Sequence, residues 1–406
     1  MISLAALGLA ACAVPQSAPS DDTAPPPEAD AGSDADLTAG SGALDLFELL
    51  DAEAGPAENV FYSPASIEQA FGLLALGAAG ETREQIETTL PPSRDARFLA
   101  FKDKDTEVRL ANALWLSDQW RFRDAFVSDA RRRYEATAER VDMRQPVATA
   151  RRINDWADKA TNGLIPVVVT PDVVDPSTAA FISNALYFDA RWRTYFDAAE
   201  QVPFLFGNGR QEDFVLMRED LQIAQVDQGD FTAVRLPYRN ARYAMDVVMP
   251  KRRVIAQQAP HFTELDEIGA KLARAKPRWV DMRLPRFEID YDTDLIAPLQ
   301  AIGLRLPFDK DRADLSRMIA PGQQRVYVDK VKHLSKLQVF DEGTRAAAVT
   351  VMRIVPVSAP PPRPDKIDFI VDRPFIVVIR DLETGAVLFL GRIAEPEPLS
   401  PKRLEQ

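Results

Sequence analysis

Residues 341–364 read DEGTRAAAVTVMRIVPVSAPPPRP, and no other stretch constrains the fold of this chain so tightly. The first half alternates as a strand does. Thr344, Ala346, Ala348 and Thr350 fall on one side, and Arg345, Ala347, Val349, Val351 and Arg353 on the other. A period-two face of small neutral side chains buries well inside a sheet. Yet Gly343 opens the segment, and Pro360, Pro361, Pro362 and Pro364 close it, which is loop punctuation. The chain writes a loop in the alphabet of a buried strand.

Charge divides the chain before any element does. No Lys or Arg precedes Arg83, whereas thirteen Asp and Glu lie in residues 1–82. The net charge of −12 therefore belongs to the N-terminal part, and the remainder carries 48 acids against 49 bases. A nearly neutral body has no field with which to grip nucleic acid or another polyanion, so nucleic-acid binding is not expected.

The one cysteine, Cys12, excludes a disulfide framework and a thiolate metal site. It closes a run of small apolar residues, and Leu9-Ala10-Ala11-Cys12 resembles the lipobox of bacterial lipoproteins. That resemblance implies residues 1–12 as a signal segment, Cys12 as the lipidated first residue, and attachment to a membrane. A signal peptide requires a basic residue ahead of its apolar run, so a start codon upstream of Met1 is expected. Residues 13–42 are rich in Pro, Ser, Asp and Ala and read as a disordered tether. The expected location is the bacterial envelope, at the outer membrane, or secretion. No later stretch reaches the length of an apolar spanning helix.

Helical spacing is clear at Ile67, Ala70, Phe71 and Leu74, and again at Ile153, Trp156, Ala157 and Ala160, where Asn162-Gly163 stops the pattern. Strand-like runs occupy 108–116, 181–188, 233–238, 243–250 and 280–289. PFIVVIRD and AVLFLGRI flank Leu382-Glu383-Thr384-Gly385 as an antiparallel hairpin. Helices dominate the first third and strands the rest, which predicts an α+β fold rather than alternating βαβ units.

These parts do not assemble into an enzyme. His261 and His333 are the two histidines, and neither has metal-ligand spacing. The G-x-S-x-G elbow, the P-loop and the G-x-G-x-x-G fingerprint are missing. His333, in a strand-like run, reads as a structural histidine. Neither catalytic residues nor a metal or cofactor is expected.

Five ordered blocks resemble the serpin family: NVFYSPASIEQAFGLLALGAAGETREQI (59–86), RINDWADKATNGLIP (152–166), SNALYFDARWRTYF (183–196), DEGTRAAA (341–348) and DRPFIVVIRDLETGAVLFLGRI (372–393). The resemblance runs from 43 to 396 and leaves 397–406 as a tail. It implies a serpin fold, with helices packed on a large central mixed β-sheet, further sheets, and an exposed reactive loop at about 341–364. It also implies a monomer.

The loop written as a strand then has a reason. A serpin offers its loop as bait, and a serine protease, or a cysteine protease, attacks it and becomes an acyl-enzyme. The cut loop inserts into the central sheet and carries the protease to the far pole. Serpin loop insertion is a standard example of strand addition with release of stored strain. Small side chains are needed where the hinge enters, and Gly343, Thr344, Ala346, Ala347 and Ala348 meet that need. Counting the family's spacing from Asp341 places the reactive bond at Val357-Ser358. A small β-branched residue there suits the shallow apolar pocket of elastase-like or subtilisin-like targets.

The resemblance further assigns Ser63, Ser66, Asn184 and His333 to a buried cluster, the shutter, under the seam where the loop enters. The histidine is expected to hold two strands together there by hydrogen bonds. Asp341 and Arg286 match a charge pair at the top of the sheet, the breach, with Trp192 beside it. Leu334-Ser335 departs from the lysine and alanine usual after the histidine. A serpin can also be a non-inhibitory binding or carrier scaffold whose loop is merely cleaved. The hinge here has no charged, bulky or proline residue facing the sheet, so the inhibitory reading is preferred.

Overall fold

The helix Pro64–Gly77 starts where its sequence says it must. Ser63 caps it, its side chain accepting from the Ser66 amide, and Pro64 occupies a first-turn position that needs no amide donor. Ile67, Phe71 and Leu74 are buried as their spacing predicts, but so are Gln69, Gly72, Leu73 and Ala75. Burial all round follows from position, because the helix packs against strands of both sheets. Gly72 lets the helix approach a neighbouring helix, Asp124–Tyr134, since a Cβ there would sit 2.4 Å from the Tyr134 hydroxyl.

This architecture comes from a computed structural model, which describes residues 42–91, 100–253, 261–344 and 366–399. All of them fall in one compact unit, 40–406. Its α+β fold carries helices on two sheets. The central, seven-stranded sheet runs Phe287–Asp294, Lys332–Phe340, Gly343–Thr344, Ala180–Arg191, Thr106–Ser117 and Phe101–Lys102, with Thr137–Val141 paired parallel to Thr106–Ser117. The second sheet has nine strands, and its backbone is the long strand Gln211–Gln228. The first part of that strand pairs with Ala198–Leu205 and Arg278–Pro285, the last part with Phe231–Pro237.

The C-terminal hairpin forms as expected, from Phe375–Asp381 and Val387–Ile393. Its turn is set by Asp381, whose carboxylate accepts from the Glu383 and Thr384 amides, and by Gly385 at φ 75°. The helix Pro146–Ala160 lies on the central sheet through Ala150, Ile153 and the contact of Trp156 with Trp115. It ends as predicted at Asn162 and Gly163, both with positive φ.

One expectation fails in a useful way. The run 280–289 is not one strand but two, Arg278–Pro285 in the second sheet and Phe287–Asp294 in the central one. Pro285 has no amide to continue a ladder. The chain changes sheets at Arg286, which leaves that side chain free to act at the sheet's end.

Candidate functional site

The central sheet has a seam between Lys332–Phe340 and Ala180–Arg191. At its upper end the two-residue strand Gly343–Thr344 is wedged in. Val339 pairs with Thr344 and Phe340 with Gly343 on one side, Arg191 with Gly343 and Ala190 with Thr344 on the other. Among the described residues, no ladder joins the two flanking strands directly. Gly343 and Thr344 are therefore a start already laid between the two strands.

Local sequence explains why the wedge fits. A Cβ on Gly343 would stand 2.2 Å from the Ala190 carbonyl oxygen, so glycine is needed for close approach, not for an unusual turn. Thr344 is fully buried and its hydroxyl meets the Tyr238 hydroxyl at 2.8 Å. Tyr238 is itself fully buried and stacks on Trp192 with ring centroids 4.6 Å apart. Burial pushes the Tyr238 phenol far up, so it stays protonated and available to donate.

The turn preceding the wedge is pinned on every side. Trp192 donates its indole N–H to the Phe340 carbonyl at 3.0 Å and its amide to the Glu342 carbonyl at 2.8 Å. The Phe196 amide donates to the Asp341 carbonyl at 3.0 Å. Arg286 grips one Asp341 carboxylate oxygen at 3.0 Å and 2.5 Å, and Arg191 meets Glu342 at 2.8 Å. Asp341, Arg286 and Trp192 thus come together as the sequence predicts. Tyr238, Arg191 and Glu342 complete the arrangement without having been foreseen.

Deeper in the seam sit the four residues of the predicted cluster. The Ser63 amide donates to His333 Nε2 at 3.1 Å, and the Ser335 hydroxyl lies 2.8 Å from the same nitrogen. With Nε2 accepting, the ring carries its proton on Nδ1. Across the seam, Asn184 Oδ1 accepts a short bond from the Ser66 hydroxyl, and its amide donates to Asn112 Oδ1 at 2.7 Å. Asn112 in turn donates to the Tyr134 carbonyl at 2.9 Å.

His333 makes no bond to Asn184. The expected direct tie across the seam is replaced by an indirect one, in which the capped first turn of helix Pro64–Gly77 bonds one strand through Ser63 and the other through Ser66. The departure at Ser335 supplies a physical reason, because its hydroxyl takes up the histidine nitrogen from within the same strand. Burial lowers the His333 pKa to about 4, against a weaker opposing pull from Asp292. The imidazole is neutral at neutral pH.

Ala346, Ala347, Ala348, Val357, Ser358 and Cys12 lie outside the described residues. Of the hinge, the structure therefore places Gly343 and Thr344.

With this geometry in place, comparison with known proteins is informative. A family model described as serpin (serine protease inhibitor) matches residues 39–396. Serpin-Z2A of Triticum aestivum is 30% identical over 367 residues, covering 84% of this chain and 90% of its own. Serpin-ZX of Hordeum vulgare is 31% identical over 370 residues, covering 84% and 91%. Among solved structures, a thyroxine-binding globulin complex with thyroxine superposes with a TM-score of 0.75 at 23% identity, covering 88% of this chain and 98% of that one. At that identity the last comparison speaks to fold alone.

Proposed function

The chain belongs to the serpin family, and we propose that it is an inhibitory member that traps a serine protease, or a cysteine protease, as a covalent acyl-enzyme. The observation that carries the proposal is the wedge. Gly343–Thr344 already pairs with both flanking strands, and of the residues that follow, Ala346, Ala348 and Thr350, which share the face of Thr344 by alternation, are small.

The chemistry is divided between bait and trap. The protease supplies the nucleophile and attacks the carbonyl of Val357, forming an ester with a serine enzyme or a thioester with a cysteine enzyme and freeing the Ser358 amine. The serpin contributes speed, because the cut loop must enter the seam before water hydrolyses that ester. A valine at the bait position favours elastase-like or subtilisin-like enzymes, whose specificity pockets take small apolar groups. The lipobox resemblance at Cys12 supports tethering of this inhibitor to a bacterial membrane.

Incubation with pancreatic elastase followed by a denaturing gel tests the reading. A band that survives denaturation, at the summed mass less the fragment from Ser358 onward, is the expected result. Complete cleavage of the loop without such a band would instead favour a carrier.

A further inference from the structure

Strand Phe287–Asp294 is an edge of the central sheet, and the C-terminal tail is laid against it. Lys332–Phe340 pairs with the strand along one side. On the other side, among the described residues, the Glu288 amide donates to the Glu397 carbonyl at 2.8 Å in an antiparallel bridge. Backbone groups alternate in direction along a strand, so Asp290, Asp292 and Asp294 turn theirs to the same open side as Glu288. An open row of this kind is a template for pairing with another chain.

The tail reaches the edge by fixed steps. Asn59 brackets it, its Oδ1 accepting from the Ala394 and Glu395 amides at 2.8 Å and 2.9 Å and its Nδ2 donating to the Glu395 carbonyl at 2.8 Å. Arg210 holds the Glu395 carboxylate at 2.8 Å. Pro396 is buried and its ring fixes φ, and Glu397 follows at the bridge. With the Glu397 carbonyl turned to the sheet, alternation turns the backbone of Pro396 and Pro398 outward. Neither has an N–H, so the tail offers no donor to a further strand.

Charge defends the remainder of this edge incompletely. Asp290, Asp292 and Asp294 are exposed, and in a second copy laid antiparallel on the same strand these acids would face one another. Lys336 and Lys332 offset two of them, at 2.6 Å and 2.8 Å. Under the tail the defence is thinnest, because Phe287 and Ile289 are buried and Glu288 is engaged by Gln338 at 2.7 Å. The tail covers the end of the edge that charge protects least.

We propose that Glu395–Pro398 is a cap on the central sheet, which keeps a second copy of this chain from adding its own strand Phe287–Asp294 along the edge. The cap acts on the outer edge and not on the seam, so the inference does not depend on loop insertion.

Ending the chain at Glu395 keeps the contacts of Asn59 and Arg210 and removes the cap. Amide hydrogen exchange at Glu288 should then quicken by roughly three- to tenfold, as the loss of one net backbone hydrogen bond implies. Light scattering should find dimers at concentrations where the full chain is monomeric. Adding Asp290→Pro to the shortened chain removes an outward amide, leaves the ladder to Lys332–Phe340 in place, and should restore the monomer. The full-chain variant Glu397→Gly with Pro398→Gly unstiffens the tail at exposed positions, and should shift exchange and association the same way by a smaller factor. It decides the matter where the shortened chain does not fold. Unchanged exchange at Glu288 overturns the cap, as does faster exchange in a protein that stays monomeric. Dimers that survive Asp290→Pro form through another surface and overturn it too.

Discussion

Placing a charge at the top of the seam should separate cleavage from trapping. Thr344→Arg removes a fully buried hydroxyl and strands its partner, the buried Tyr238 hydroxyl. An unsatisfied buried hydroxyl costs about 1–3 kcal/mol. Desolvating a guanidinium without a counter-charge adds several kcal/mol. Because Thr344 already sits in the wedge, a penalty of about 5 kcal/mol should expel the wedge from the seam of the intact protein and must be met again when the cut loop inserts. The inserted strand gains about a dozen backbone hydrogen bonds at roughly 1 kcal/mol net each, so the end state stays downhill. The rate is what suffers: 5 kcal/mol is between three and four powers of ten in speed by the usual relation, about 1.4 kcal/mol per decade. Hydrolysis of the acyl-enzyme then wins. Elastase should cut Thr344→Arg at the wild-type rate and leave cleaved inhibitor with active protease, whereas Thr344→Ser should still trap. Covalent complex from Thr344→Arg in wild-type yield would refute the reasoning.

Val357→Arg should redirect trapping from elastase-like to trypsin-like enzymes, and mass spectrometry of the released fragment should find Ser358 at its start in the wild type. A fragment beginning at Ile354 would place the bait elsewhere. His333 titrates at about 4 when folded and near 6.5 when unfolded, so the unfolded chain binds the extra proton first. Stability should therefore fall as pH drops from about 6.5 to 4, by about 3 kcal/mol in all, and His333→Gln should flatten that part of the profile in denaturant melts. Cys12→Ser should move the protein from the membrane to the soluble fraction of its native cells, and a wild type already soluble and unacylated there would contradict the lipobox reading.

The sequence carried the site's architecture further than its wiring. Asp341 and Trp192 were legible because motif blocks fix their positions, Arg286 through the family resemblance alone, and the three come together in the structure. Tyr238 was hidden inside AVRLPY, where it reads as one more strand residue. Its role depends on Trp192 and Thr344, far away in the chain. Asn112 left a fainter sign, as a lone amide in the apolar run VRLANALWL that would have to find buried partners. The split at Arg286 was visible in principle, since Pro285 cannot continue a central ladder. The route of the shutter bonds was not. His333 Nε2 meets the Ser63 amide and the Ser335 hydroxyl, while Asn184 bonds Ser66 and Asn112, and residue identity alone does not decide between such partners.

The central claim is that the intact protein stores free energy which loop cleavage releases. Comparing the thermal midpoints of intact and loop-nicked protein measures this most directly. A new central strand worth on the order of 10 kcal/mol should raise the midpoint by about 10–20 °C in a domain of this size. Equal midpoints for the two forms would contradict the account.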